Sequence, residues 1–100
     1  MREQIRQFIY EAVQEVVQYS ELLEKYNQEK DNFEILGNLD SLDMVSLLVD
    51  IESKIQDEFD IDILISADRA MSERGPFSTI ETLLDFILVL IEEEKWKNQF

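Results

Sequence analysis

Two glycines and one proline are all the turn punctuation this chain of 100 residues contains. Sandwiches and barrels need many tight turns, so the shortage argues against an all-β fold. Apolar residues recur instead at helical spacing. Ile5, Phe8, Ile9, Ala12, Val13, Val16 and Val17 follow an i, i+3, i+4, i+7 rhythm, with Arg6, Gln7, Glu11, Gln14 and Glu15 between them. That pattern predicts an amphipathic helix over residues 2–19. Leu22, Leu23 and Tyr26 either extend it or form a short second piece capped by Ser20. The polar stretch 27–32 reads as loop.

Phe33-Glu34-Ile35-Leu36 reads as a loop segment tucked onto the core by Phe33 and Leu36, with Gly37 allowing a turn. A second long helix starts at Asp40 or Ser41. Asp40 can cap it, and Asp43 places a carboxylate in its first turn, where the helix dipole favours one. Its apolar residues are Leu42, Met44, Val45, Leu47, Leu48, Val49, Ile51, Ile55 and Phe59. They are too many for one narrow stripe, so some of Leu42, Met44, Val45 and Val49 must lie at or beyond the edge of the buried face. Asp60-Ile61-Asp62-Ile63 alternates like a strand but has no partner strand, and reads as extended loop. Ser66 to Met71 reads as a short helix capped by Ser66, and Gly75-Pro76 as a break. The last helix opens at Ser78-Thr79-Ile80-Glu81, a capping-box spacing, with Ile80, Leu83, Leu84, Ile87 and Ile91 on one face. Glu92 to Lys95 reads as its solvated end. The expected fold is all-α: a small bundle of three main helices plus one short helix, forming a single domain over 1–100.

Twenty-three acids against nine bases give a formal charge of −14. Such a charge repels nucleic-acid phosphates and anionic lipid, and points to partners with basic surfaces. Phe86 to Ile91, the longest apolar run, falls far short of the ~18 residues of a membrane span. Met1-Arg2-Glu3-Gln4 leads into an amphipathic pattern rather than a signal peptide. The expectation is a cytoplasmic monomer. The sequence holds no histidine and no cysteine. Disulfides, the usual zinc sites and a Cys or His nucleophile–base pair are therefore excluded, and a catalytic role is not expected.

Asn38-Leu39-Asp40-Ser41-Leu42-Asp43-Met44-Val45 is the stretch that folding alone explains least. Asp and Ser are what any helix start prefers, so plain capping accounts for Asp40-Ser41 taken in isolation. A hydroxyl in the first turn, however, faces free backbone N–H groups and the positive end of the dipole, a setting that welcomes a phosphate. Leu42 is an odd choice for a purely solvated helix start.

Phe33 to Val45, with Asp40-Ser41-Leu42 following a Leu36-Gly37 turn, resembles the phosphopantetheine attachment region of acyl carrier proteins. Glu58-Phe59-Asp60-Ile61-Asp62-Ile63 is similar to that family's helix end and following loop, and Phe77 to Ile87 is similar to its last helix. The resemblance covers nearly the whole chain. It implies that Ser41, with Asp40 beside it, accepts 4′-phosphopantetheine from coenzyme A through a separate magnesium-dependent transferase. The arm's thiol would then carry acyl groups as thioesters, which accords with the missing cysteine. It further implies that Leu42, Val45 and Val49 lie near the partner-facing side of the second helix. Asp43, Asp50, Glu52, Asp57 and Glu58 would meet Arg and Lys on the transferase and on acyl-handling enzymes.

Three departures suggest a specialised carrier rather than one for bulk fatty-acid synthesis. The span from Ser41 to Phe59 is about one helical turn longer than usual, an extra residue lies in Asn38-Leu39, and the segment 70–76 lengthens the approach to the last helix. An aminoacyl or peptidyl carrier stays open. So does an unmodified acidic helical adaptor, which accounts for the charge and for the apolar excess in Phe86, Leu88, Val89 and Leu90. A calcium loop does not match over Asp31 to Asp43, and no carboxylate pair is singled out for hydrolysis.

Overall fold

Five α-helices account for most of the described residues. The structure, a computed structural model, describes residues 1–65 and 78–97. In chain order the helices are α1 (Arg2–Val17), α2 (Leu22–Glu29), α3 (Ile35–Asn38), α4 (Ser41–Phe59) and α5 (Ile80–Lys97). The three long ones are the three predicted main helices, and the all-α bundle is as expected. The short helix expected at Ser66 to Met71 and the break at Gly75-Pro76 lie outside the described residues. No helix of the described residues is long and apolar enough to cross a membrane.

One continuous core joins the long helices. Ile5, Ile9, Ala12, Val13 and Val17 of α1 meet Met44, Leu47, Leu48, Ile51 and Ile55 of α4 and Ile80, Leu83, Leu84, Ile87 and Ile91 of α5. Each set follows the 3.6-residue period, so burying one stripe per helix closes the core. α1 and α4 run antiparallel: Phe8 packs on Phe59 with ring centroids 6.1 Å apart, and further along, Glu11 pairs with Lys54 at 3.0 Å. Asp60 ends α4 in the left-handed region at φ 53°, its amide donating to the Gln56 carbonyl. Beyond it the chain is extended as predicted, burying Ile63 and Ile65 and exposing Asp62 and Leu64.

Four local expectations need correction. α1 ends at Val17, because Ser20 turns the chain: its Oγ donates to the Val17 carbonyl and accepts from the Leu22 amide. The stretch 27–32 is helical rather than loop, α2 continuing to Glu29 and a 3₁₀ turn filling Lys30–Asn32. Tertiary contacts hold it: Tyr26 is buried edge-on to Phe33 with centroids 5.7 Å apart, and Lys30 Nζ lies 4.7 Å from the Tyr26 ring centroid. Gly37 lies inside α3 without a positive φ; a Cβ there would come within 2.9 Å of Glu34 Oε2. Phe33 and Ile35 do most of the tucking, with Leu36 half-buried. Finally, the box at the start of α5 is set one residue later than predicted. Thr79 Oγ1 accepts from the Thr82 amide at 3.2 Å, and Thr82 Oγ1 accepts from the Thr79 amide at 2.9 Å.

Two backbone hydrogen bonds pin the approach to α4 onto the start of α5. The Ile35 amide donates to the Ser78 carbonyl at 2.9 Å, and the Ile80 amide to the Phe33 carbonyl at 3.2 Å. The segment that delivers the chain to Ser41 is thereby attached to a second long helix.

Candidate functional site

Ser41 is the first helical residue of α4 and is exposed. Leu39 is buried before it and Met44 after it, so the short stretch between them is held at the surface by anchors on both sides. Asp40 is extended, with φ −82° and ψ 178°, and its Oδ1 accepts from the Asp43 amide at 2.8 Å. Its carbonyl accepts from the Met44 amide at 2.9 Å. Asp40 is therefore the cap, an arrangement worth about 1 kcal/mol. The Ser41 hydroxyl takes no part in capping and makes no hydrogen bond to the described residues. The amides of Ser41 and Leu42 likewise have no acceptor among the described residues.

The other predicted site residues fall into four groups. Leu42 and Val45 lie on the open face of α4, 82% and 47% exposed, with Val49 at 57% beside them. That sorting answers the question left by the apolar excess of α4, since Met44 alone of the four uncertain residues is buried. Asp43 and Asp50 are half-buried and, with Val49 and Ser46, form one wall of an open groove of about 720 Å³ whose other wall is Glu15 and Val16 of α1. Glu52 is engaged within the fold: its Oε1 accepts from the Ile65 amide at 2.8 Å, holding the extended segment against α4. Asp57 and Glu58 are exposed near the far end of α4, sixteen and seventeen residues on from Ser41, which by helical rise is roughly 24 Å.

A polar cluster that the sequence did not single out locks α1 to α5. Arg6 Nη1 lies 2.8 Å from both Glu81 Oε2 and Asp31 Oδ1, and Arg2 bridges Glu81 at 2.8 Å and Asp85 at 2.9 Å. The Tyr10 hydroxyl donates to Asp31 Oδ1. Burial raises the cost of charging Asp31, yet the Tyr10 hydroxyl and the Arg6 guanidinium outweigh it and hold the carboxyl below its usual range. The hydrogen bond to Glu81, then that to Asp31, holds the Arg6 guanidinium above the ordinary arginine range against the cost of burial. The signal in the sequence was a matched pair of spacings: bases at positions 2 and 6 and acids at 81 and 85, each i, i+4 on its helix.

Lys54 lies beside the groove, 3.0 Å from Glu11 and 3.4 Å from Asp50. Burial works against its charge, but these carboxylates prevail and raise its pKa above the ordinary lysine value. Asp50 Oδ2 is closed to water and lies 3.4 Å from Lys54 Nζ, a longer ion pair than the one to Glu11. Among the described residues, no group of three or more acidic side chains stands where it could hold a metal ion. No family model, curated protein or solved structure matches this chain.

Proposed function

We propose that this protein is an acyl carrier, with 4′-phosphopantetheine attached to Ser41 and acyl groups carried on the arm's thiol. The observation that carries the reading is the state of Ser41: an exposed hydroxyl in the first turn of a long helix, relieved of capping by Asp40 and without a hydrogen bond to the described residues. The unpaired amides of Ser41 and Leu42 and the positive end of the α4 dipole suit the phosphodiester that would form there. The chain has no histidine or cysteine, and no base among the described residues is hydrogen-bonded to the Ser41 hydroxyl, so Ser41 reads as a substrate of another enzyme rather than as a catalytic nucleophile.

In the attachment step, the Ser41 oxygen bonds to the phosphorus that carries the pantetheine arm of coenzyme A. The bond to the departing adenosine 3′,5′-bisphosphate breaks, and the Ser41 proton leaves to the transferase. When bound, the group supplies a thiol for thioester formation. Asp40 keeps the helix start formed while Ser41 is derivatised. Leu42 and Val45 offer apolar contact beside the attachment point, and Asp43 a charge for a basic partner surface. This is a scaffold role for a fatty-acid, polyketide-like or other specialised pathway, with an aminoacyl cargo as the variant reading.

The test is incubation with coenzyme A, magnesium and a broad-specificity phosphopantetheinyl transferase, read by intact mass. The expected result is a gain of one phosphopantetheine, absent in Ser41→Ala. An unchanged wild-type mass overturns the reading and favours the unmodified adaptor; labelling of Ser41→Ala overturns the site.

A further inference from the structure

The groove between α1 and α4 has chemistry that attachment at Ser41 does not use. Val16 and Val49 supply apolar surface from opposite walls, Ser46 leaves the space between them open, and Glu15, Asp43 and Asp50 place carboxylates along it. We propose that this groove docks a cationic amphipathic helix of a partner protein, which sets an apolar side chain between Val16 and Val49 and directs Arg or Lys toward the three acids.

The charge pattern selects the occupant. The carboxylates come from both walls, and the base beside them, Lys54, is already held by Glu11 and Asp50. A second copy of the chain would bring its own charge of −14 to the groove, so self-association is opposed; anionic partners are repelled in the same way. Apolar anchors flanked by bases at i, i+3 and i+4 are how a helix fills such a trough. The surface differs from the open face of Leu42 and Val45 because one wall of it belongs to α1, and it does not require Ser41 to be modified.

The test uses the unmodified full chain and a fluorescent synthetic peptide of leucine and lysine at amphipathic helical spacing, followed by anisotropy. The expected result is saturable binding that weakens with salt. Glu15→Lys, which touches only the α1 wall, and Ser46→Trp, which fills the trough, should each weaken it by about tenfold, whereas Leu42→Ser should change it by less than about twofold. Circular dichroism checks that each variant stays folded, and amide shifts should centre on Glu15, Val16 and Ser46. Absence of binding overturns the proposal. So does equal binding of a peptide with glycine in place of leucine, which would mean charge attraction alone, or a loss confined to Leu42→Ser, which would move the surface to the open face. Because Ser41→Ala protein should bind the peptide unchanged, this outcome and the mass test of the carrier reading are independent.

Discussion

Asp40 Oδ1 accepts the Asp43 amide hydrogen at 2.8 Å, so the residue before Ser41 caps α4 and Ser41 does not. The two neighbours should therefore separate in a stability measurement. Asp40→Ala is expected to cost about 1 kcal/mol in urea unfolding, and Ser41→Ala no more than about 0.5 kcal/mol. A larger loss at Ser41 would show that its hydroxyl is structural and would weaken its reading as a free acceptor.

Arg6 is the hub between α1, the 3₁₀ turn and α5, and its side chain is only 15% exposed. Its partners Asp31 and Glu81 are more than a third exposed, which screens the pairs and reduces their worth. Arg6→Ala should cost about 2 kcal/mol, between the values for surface and buried pairs, while Arg2→Ala should cost under about 1 kcal/mol. Equal losses at the two positions would contradict the hub assignment.

Asp31 gives the acid side of the pH profile its sign. Its folded pKa lies below the ordinary 3.8, so its contribution is complete above that value and is lost as the pH falls through the lower folded one. Asp31→Asn should flatten the stability curve below pH 4 and lower the plateau above it. An unchanged acid limb, measured by urea unfolding across pH, would contradict the ion pair with Arg6.

Tyr26 sets part of the alkaline side. Burial pushes its pKa from 10.0 up to about 12, so its contribution is complete below 10 and is lost as pH rises through the folded value. Tyr26→Phe removes the hydrogen bond to the Tyr10 carbonyl, a loss of about 1 kcal/mol at neutral pH, but should reduce the decline above pH 10. A decline as steep as that of the parent protein would assign it to other groups.

Glu52 holds Ile65 through a single side-chain acceptor. Glu52→Ala should speed hydrogen exchange at the Ile65 amide by at least about tenfold while lowering global stability by about 1 kcal/mol or less. Exchange at Ile65 that matches the parent would mean that burial of Ile63 and Ile65 alone secures the segment.

What the sequence by itself determined was set by helical period and by composition. The 3.6-residue period of Ile5 to Val17, of Leu47 to Ile55 and of Ile80 to Ile91 marked three helices and their buried stripes, because each stripe must be covered, while Leu42, Met44, Val45 and Val49 stayed unsorted. Asp40 could be identified as a cap because a capping side chain reaches only three residues ahead. The lack of histidine and cysteine was equally plain, and it excludes whole classes of chemistry regardless of fold.

Tertiary structure decided what depends on residues far apart in sequence. Asn27 to Asn32 looks like loop from its polar composition, yet it is helical where Tyr26 packs with Tyr10 and Phe33 and Lys30 lies over the Tyr10 and Tyr26 rings. The Arg6–Glu81 pair spans 75 positions; the i, i+4 spacing of each helix could suggest such a pairing, but only packing sets the two helices side by side. The acids of α4 are alike as letters, yet packing divides them: Glu52 binds the chain's own backbone, Asp43 and Asp50 turn toward α1, and Asp57 and Glu58 stay in solvent. A side chain's neighbours, not its type, determine whether it is structural or available.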